Sequence, residues 1–228
     1  MHRRFAFLLF LPCALLGRAA AADDDAPSTT PASPEDAYHH HGFFIRPDLG
    51  LGYLTMSEAT GTSAGTEKVS GLAGTAGVAI GGALADNLVL SLHLYDAVAV
   101  NPSVSLGSSG SLGTSSATIT GFGIGPELDY YFMPANVYLA ATVAVTTLSV
   151  SVDGQSVSAS AGPGGKLSLG KEWFVGNSWG LGVAGGATYA SNTDTGGQGI
   201  GTWVFALSFT ATYNQFRDPR TRRHDDEE

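Results

Sequence analysis

Two pairs of ionisable residues stand two apart in the chain, Arg46 with Asp48 and Glu127 with Asp129. Neighbouring carboxylates of that kind are a recurring device of acid–base catalysis, because their environments can set different protonation states. His93 lies near Ser91, and Lys166 adds a second cation. A spacing of two also places each pair on one face of a β-strand. The chemistry open to them is then set by what that face looks onto.

Other patterns invite a functional reading and do not sustain it. Gly180, Gly182 and Gly185 match the G-x-G-x-x-G pattern of a dinucleotide turn, but Tyr189 follows and no helical stretch begins. The segment GPGGKLS at 162–168 lacks the Gly-Lys-Ser/Thr end of a phosphate loop. His39, His40 and His41 form a run that could hold a metal, yet no cysteine or carboxylate stands at ligand spacing beside them. The sequence therefore implies no cofactor and no metal.

The elements that position these groups are strands. Glycine contributes 31 of 228 residues and charged residues only 14%, a composition that fits long helices poorly, since an interior glycine costs a helix about 1 kcal/mol relative to alanine. In TWVFALSFTATY, one face carries Trp203, Phe205, Leu207, Phe209, Ala211 and Tyr213, and the other Thr202, Val204, Ala206, Ser208, Thr210 and Thr212. In FFIRPDLGLGYL, Phe43, Ile45, Leu49, Leu51 and Tyr53 oppose Arg46, Asp48, Gly50 and Gly52. ITGFGIGPELDYYF and the stretches near 69–80, 87–96, 136–148, 159–172 and 179–189 alternate likewise. Eight strands result. Short connections at 81–87, 132–136 and 173–178 alternate with longer ones near 55–68, 97–117, 149–158 and 190–200, so the long loops gather at one end and both termini at the other.

The second face is mostly Gly, Ala, Ser and Thr, unlike an ordinary water-facing surface rich in Lys and Glu. It suits a crowded interior. The bulky face must then lie outside, where hydrocarbon tolerates it and water does not, and a spanning structure without helices must be a closed barrel. Aromatics group by height: Phe43, Phe44, Tyr130, Tyr131, Phe132, Tyr138, Trp173, Phe174, Trp179 and Tyr213 at the short-turn end, and Tyr53, Tyr95, Tyr189 and Trp203 at the other. Such girdles border the apolar band of a membrane barrel. The fold class expected is all-β, an eight-stranded antiparallel up-and-down transmembrane β-barrel.

With landmarks such as GKEWFVGNSWGLGV and YYFMPANVYL, the block 42–213 resembles the small eight-stranded outer-membrane proteins of Gram-negative bacteria, of the outer-membrane protein A, X and W kind. The resemblance implies short turns in the periplasm, long loops outside the cell, insertion by the barrel-assembly machinery and contact with outer-membrane lipid. Members of that group often end on an aromatic residue, whereas here a charged tail follows Tyr213 and Phe216.

Around the barrel the chain divides into further segments. Residues 1–21 carry Arg3 and Arg4, an apolar run and small residues before 22, the layout of a secretory signal peptide. Its twelve apolar residues are too few for a membrane helix, which needs about 20. Residues 22–41 read as a flexible periplasmic linker and 214–228 as a charged periplasmic tail. Cys13, the only cysteine, falls inside the signal. The net charge of -9 argues against nucleic acid as a partner. A monomer is expected, with loops that engage extracellular ligands weakly at most.

On this reading Arg46, Asp48, His93, Glu127, Asp129 and Lys166 all point into the short-turn half of a narrow lumen. Unpaired buried charge is expensive, so they are expected to form an ion network that closes the lumen. The function expected is non-enzymatic, structural or surface-interacting, in the outer membrane. The alternative is a narrow channel for ions or small hydrophobic solutes, since rings of charge also set pore selectivity.

Overall fold

The computed structural model describes residues 40–59, 66–106, 111–114, 116–175 and 178–215. They belong to one compact unit, Ser33–Glu228. The expected signal peptide, most of the linker and the tail from 216 onward lie outside the described residues, as does His39.

Among the described residues eleven strands run in chain order: β1 His41–Ala59, β2 Thr66–Ala85, β3 Leu88–Val100, β4 Ser103–Leu106, β5 Ser111–Thr114, β6 Ala117–Phe132, β7 Val137–Val152, β8 Gln155–Ser158, β9 Gly162–Phe174, β10 Trp179–Thr193 and β11 Gly199–Gln215. Eight of them form the wall, in the order β1-β11-β10-β9-β7-β6-β3-β2, and β1 pairs with β2 to close it. All these pairings are antiparallel. Closure leaves no open edge in the wall. The expected eight-stranded antiparallel barrel is the fold observed.

Local chemistry fixes the short ends. Asn87 and Asn136 sit at positive φ of 64° and 48° in the β2–β3 and β6–β7 turns, a conformation that asparagine tolerates better than most residues. At the other end the strands run further than the sequence suggested. The stretch expected as a loop near 149–158 is a ribbon: β7 turns at Asp153 and Gly154, both at positive φ, and β8 returns along it. Two residues with φ above zero match the twist of a tight hairpin. β4 pairs with β2 and β5 with β4, forming a second ribbon at the same end.

The exterior is apolar. Leu72 is 80% exposed, Phe209 76% and Leu207 75%, within a continuous set that includes Leu51, Val143, Leu167 and Phe205. No helix of the described residues is long and apolar enough to cross a membrane; the strands present the lipid-compatible surface instead. Phe43, Tyr130, Phe132, Trp173 and Trp179 border this surface at the short-turn end, and Tyr53, Tyr189 and Trp203 at the long-loop end. Five aromatics assigned to the girdles by sequence do not belong there; Phe174 shares the interior face of β9 with Glu172, its ring 6.3 Å from that of buried His40. Phe44, Tyr95, Tyr131 and Tyr138 are buried inside the barrel, because their places in the alternation put them on the interior face.

Inside, two apolar clusters lie at opposite ends. Leu54, Met56, Val69, Ala73, Ala97, Ala99, Ile119, Leu148, Ile200 and Val204 pack at the long-loop end. Phe44, Ala79, Val89, Tyr131, Tyr138 and Ala140 pack at the short-turn end.

Candidate functional site: the charged lumen

The six ionisable residues singled out in the sequence meet in the lumen between those clusters. β1 supplies Arg46 and Asp48, β3 His93, β6 Glu127 and Asp129, and β9 Lys166. Arg46 Nη2 lies 2.7 Å from Glu127 Oε1 and 2.7 Å from Asp129 Oδ1. Its Nη1 donates to the Tyr131 hydroxyl at 3.2 Å, and its guanidinium stands over the Tyr138 ring, 4.3 Å from the centroid. One planar cation thus bridges two carboxylates while its face packs on an aromatic ring, a combination that lysine does not offer.

A second group joins the first through Glu127. His93 Nδ1 is 2.6 Å from Glu127 Oε2, and the Thr142 hydroxyl donates to the same oxygen at 2.6 Å. His93 Nε2 and Lys166 Nζ each lie 3.6 Å from an Asp48 oxygen. Arg46, His93, Glu127 and Asp129 are all nearly or fully buried.

Small residues make room for these groups. Gly77 lies beneath Asp48 and His93, where an added Cβ would sit 2.9 Å from His93 Nε2. Gly182, part of the apparent dinucleotide motif, faces Lys171 O at 2.6 Å and Glu172 Cγ at 2.8 Å by the same measure. Its β10 neighbours pair as ordinary strand with β9 and β11. Gly180 and Gly182 face the lumen, whereas Gly185 lies on the exterior face beside Leu207, so the motif match is accidental.

Sequence reasoning missed three features. Glu172 on β9 is a further buried carboxylate, accepting the Thr212 hydroxyl at 2.5 Å. Its place on the interior face of GKEWF was the available signal. His40, taken as part of a flexible tether, is fully buried at the short-turn end. It stacks on Tyr131 with centroids 3.7 Å apart, its Nε2 donates to Asn136 Oδ1 at 3.1 Å, and its Nδ1 accepts from Asn214. Ring stacking and two side-chain amides hold it at the floor of the barrel. Asp96 falls on the exterior face of β3, where its carboxylate accepts the Ala76 N–H at 3.0 Å.

His93 and its acidic partners lie below the packed cluster of Leu54, Ile119 and Leu148, and Ser91 Oγ makes no hydrogen bond among the described residues. The described residues contain no group of three or more His, Cys, Asp or Glu suited to a metal ion.

No family model and no curated protein matches the chain. Solved structures similar to it include Neisserial surface protein A, at 14% identity over 76% of this chain and 97% of that one, with a TM-score of 0.49. The outer membrane protein OprG from Pseudomonas aeruginosa is similar at 14% identity, covering 78% and 98%, with a TM-score of 0.42. The outer membrane protease OmpT from Escherichia coli is similar at 13% identity, covering 80% and 100%, with a TM-score of 0.37.

Proposed function

We propose that this chain is a non-enzymatic integral protein of the Gram-negative outer membrane, structural or surface-interacting, whose lumen is closed by its ion network. A signal-like N-terminus ahead of a barrel with an apolar exterior supports export followed by insertion into that membrane. Insertion would use the barrel-assembly machinery, with outer-membrane lipid as the constant partner. The observation that carries the closed-lumen reading is Arg46, clamped between Glu127 and Asp129 across the bore. An eight-stranded barrel has an interior just wide enough for side chains to fill, and here charged and aromatic groups fill its lower half.

Single-channel recording tests this directly. The wild-type protein, reconstituted in planar bilayers, is expected to show no steady conductance. Stable wild-type openings would favour a narrow ion channel and contradict the closed reading.

A further inference from the structure

Between the two apolar clusters lies a cavity of about 60 Å³ lined by both polar and apolar groups. Its ceiling includes Leu54, Leu148 and Val204, and its floor Arg46, Asp48 and Tyr138. Among its lining groups, the hydroxyls of Thr75, Tyr95, Thr202 and Thr210 are buried and have no hydrogen-bond partner among the described residues. Four orphaned hydroxyls around one space are costly when dry, because each buried polar group left unpaired loses its hydration. A cavity of this size accommodates on the order of four water molecules. Water supplies both the donors and the acceptors that these groups lack. Lys166, the least buried member of the ion network, also borders the cavity.

The boundaries differ in kind. The ceiling is mainly apolar, with Leu54, Leu148 and Val204 packed against Met56, Ile119 and Ile200 and with buried Thr202 and Asn192 among them, and a hydrophobic constriction excludes ions by dewetting. The floor is ionic and aromatic, with Arg46 bonded to Tyr131 and stacked on Tyr138. Removing charge from the floor does not wet the ceiling. Shrinking the ceiling does not break the ion pairs.

We propose that the lumen is a resident-water site enclosed by two independent seals, an apolar one at the long-loop end and an ionic–aromatic one at the short-turn end. This rests on the closed-lumen reading and adds that neither seal alone governs permeation. Loss of Arg46 by itself therefore leaves the barrel silent.

The test uses Ser208→Cys, a near-isosteric change on the cavity wall, in the full chain with Cys13→Ser. Reaction with methanethiosulfonate ethylammonium is followed in folded, detergent-solubilised protein, and current is recorded in planar bilayers. The thiol is expected to be unreactive in the otherwise native barrel. It should become reactive when the ceiling is reduced by Leu54→Ala with Leu148→Ala, or the floor by Arg46→Ala with Tyr138→Ala. Steady current should appear only when both are reduced. Should the alanine variants fail to fold, Leu148→Thr serves for the ceiling, and the charge-balanced Arg46→Ala/Glu127→Ala/Asp129→Ala for the floor. A thiol that reacts in the native background, one that stays unreactive with both seals reduced, or current through a single-seal variant overturns the proposal. Current through the wild-type barrel would instead overturn the closed-lumen reading beneath it.

Discussion

Replacing Arg46 with methionine is expected to lower the unfolding free energy by about 3–5 kcal/mol, the range for breaking a buried ion pair from one side. The size follows from what is left behind. Glu127 and Asp129 are both buried, and each lies 2.7 Å from the same guanidinium nitrogen; among the described residues Glu127 keeps only His93 Nδ1 as a further ion-pair partner, and Asp129 keeps none. Asp129 Oδ2 already lacks a hydrogen-bond partner among the described residues, so no second group there takes over. The charge-balanced variant Arg46→Met/Glu127→Gln/Asp129→Asn should recover much of the loss, because it removes the charges together. Urea titration of the refolded barrel in lipid vesicles, followed by tryptophan fluorescence, measures both variants. A loss below about 1 kcal/mol for Arg46→Met, the range of exposed pairs, would show that these groups are hydrated and not a closed plug.

On the opposite face of the wall, Leu207→Arg is expected to cost about 2–4 kcal/mol, the penalty for a cation at the bilayer midplane of a barrel. Leu207 is 75% exposed and lies on β11 midway between Trp203 and Tyr213. Val157, on the β8 ribbon, is 62% exposed but stands beyond the apolar band. Val157→Arg should therefore change stability by no more than about 0.5 kcal/mol, as for ordinary surface positions. The contrast separates exposure to lipid from exposure to water. Equal, small effects at both sites would contradict a membrane-embedded wall.

Much of this was legible because a barrel wall imposes a strict period of two. The alternation in TWVFALSFTATY and FFIRPDLGLGYL assigned Phe205, Leu207, Leu49 and Leu51 to the exterior and Arg46, Asp48 and Ser208 to the interior, as observed. The same rule placed His93, Glu127, Asp129 and Lys166 in one lumen. Errors arose where residue type was allowed to outweigh parity. Phe44, Tyr95, Tyr131 and Tyr138 were read as girdle because they are aromatic, yet they are interior rings that pack the lumen. Parity likewise puts Glu172 on the interior face, beside Trp173 on the exterior.

The ends of the strands were least legible. Ser, Thr and Gly serve equally in loops and in twisted ribbons, so β8 and the β4–β5 pair carried no distinct pattern. His40 shows a different limit. Its burial depends on Asn136 and Asn214, which are 96 and 174 residues away in the chain, and no local pattern encodes such a contact.

The orientation of the wall is tested most directly by a nitroxide scan of positions 203–210 on β11, one label per variant, in lipid vesicles and with Cys13 replaced. Labels at 203, 205, 207 and 209 are predicted to collide readily with oxygen dissolved in the bilayer. Labels at 204, 206, 208 and 210 should be shielded from it. Loss of the alternation, or the reverse pattern with 205 and 207 shielded, would contradict a barrel whose apolar face meets lipid.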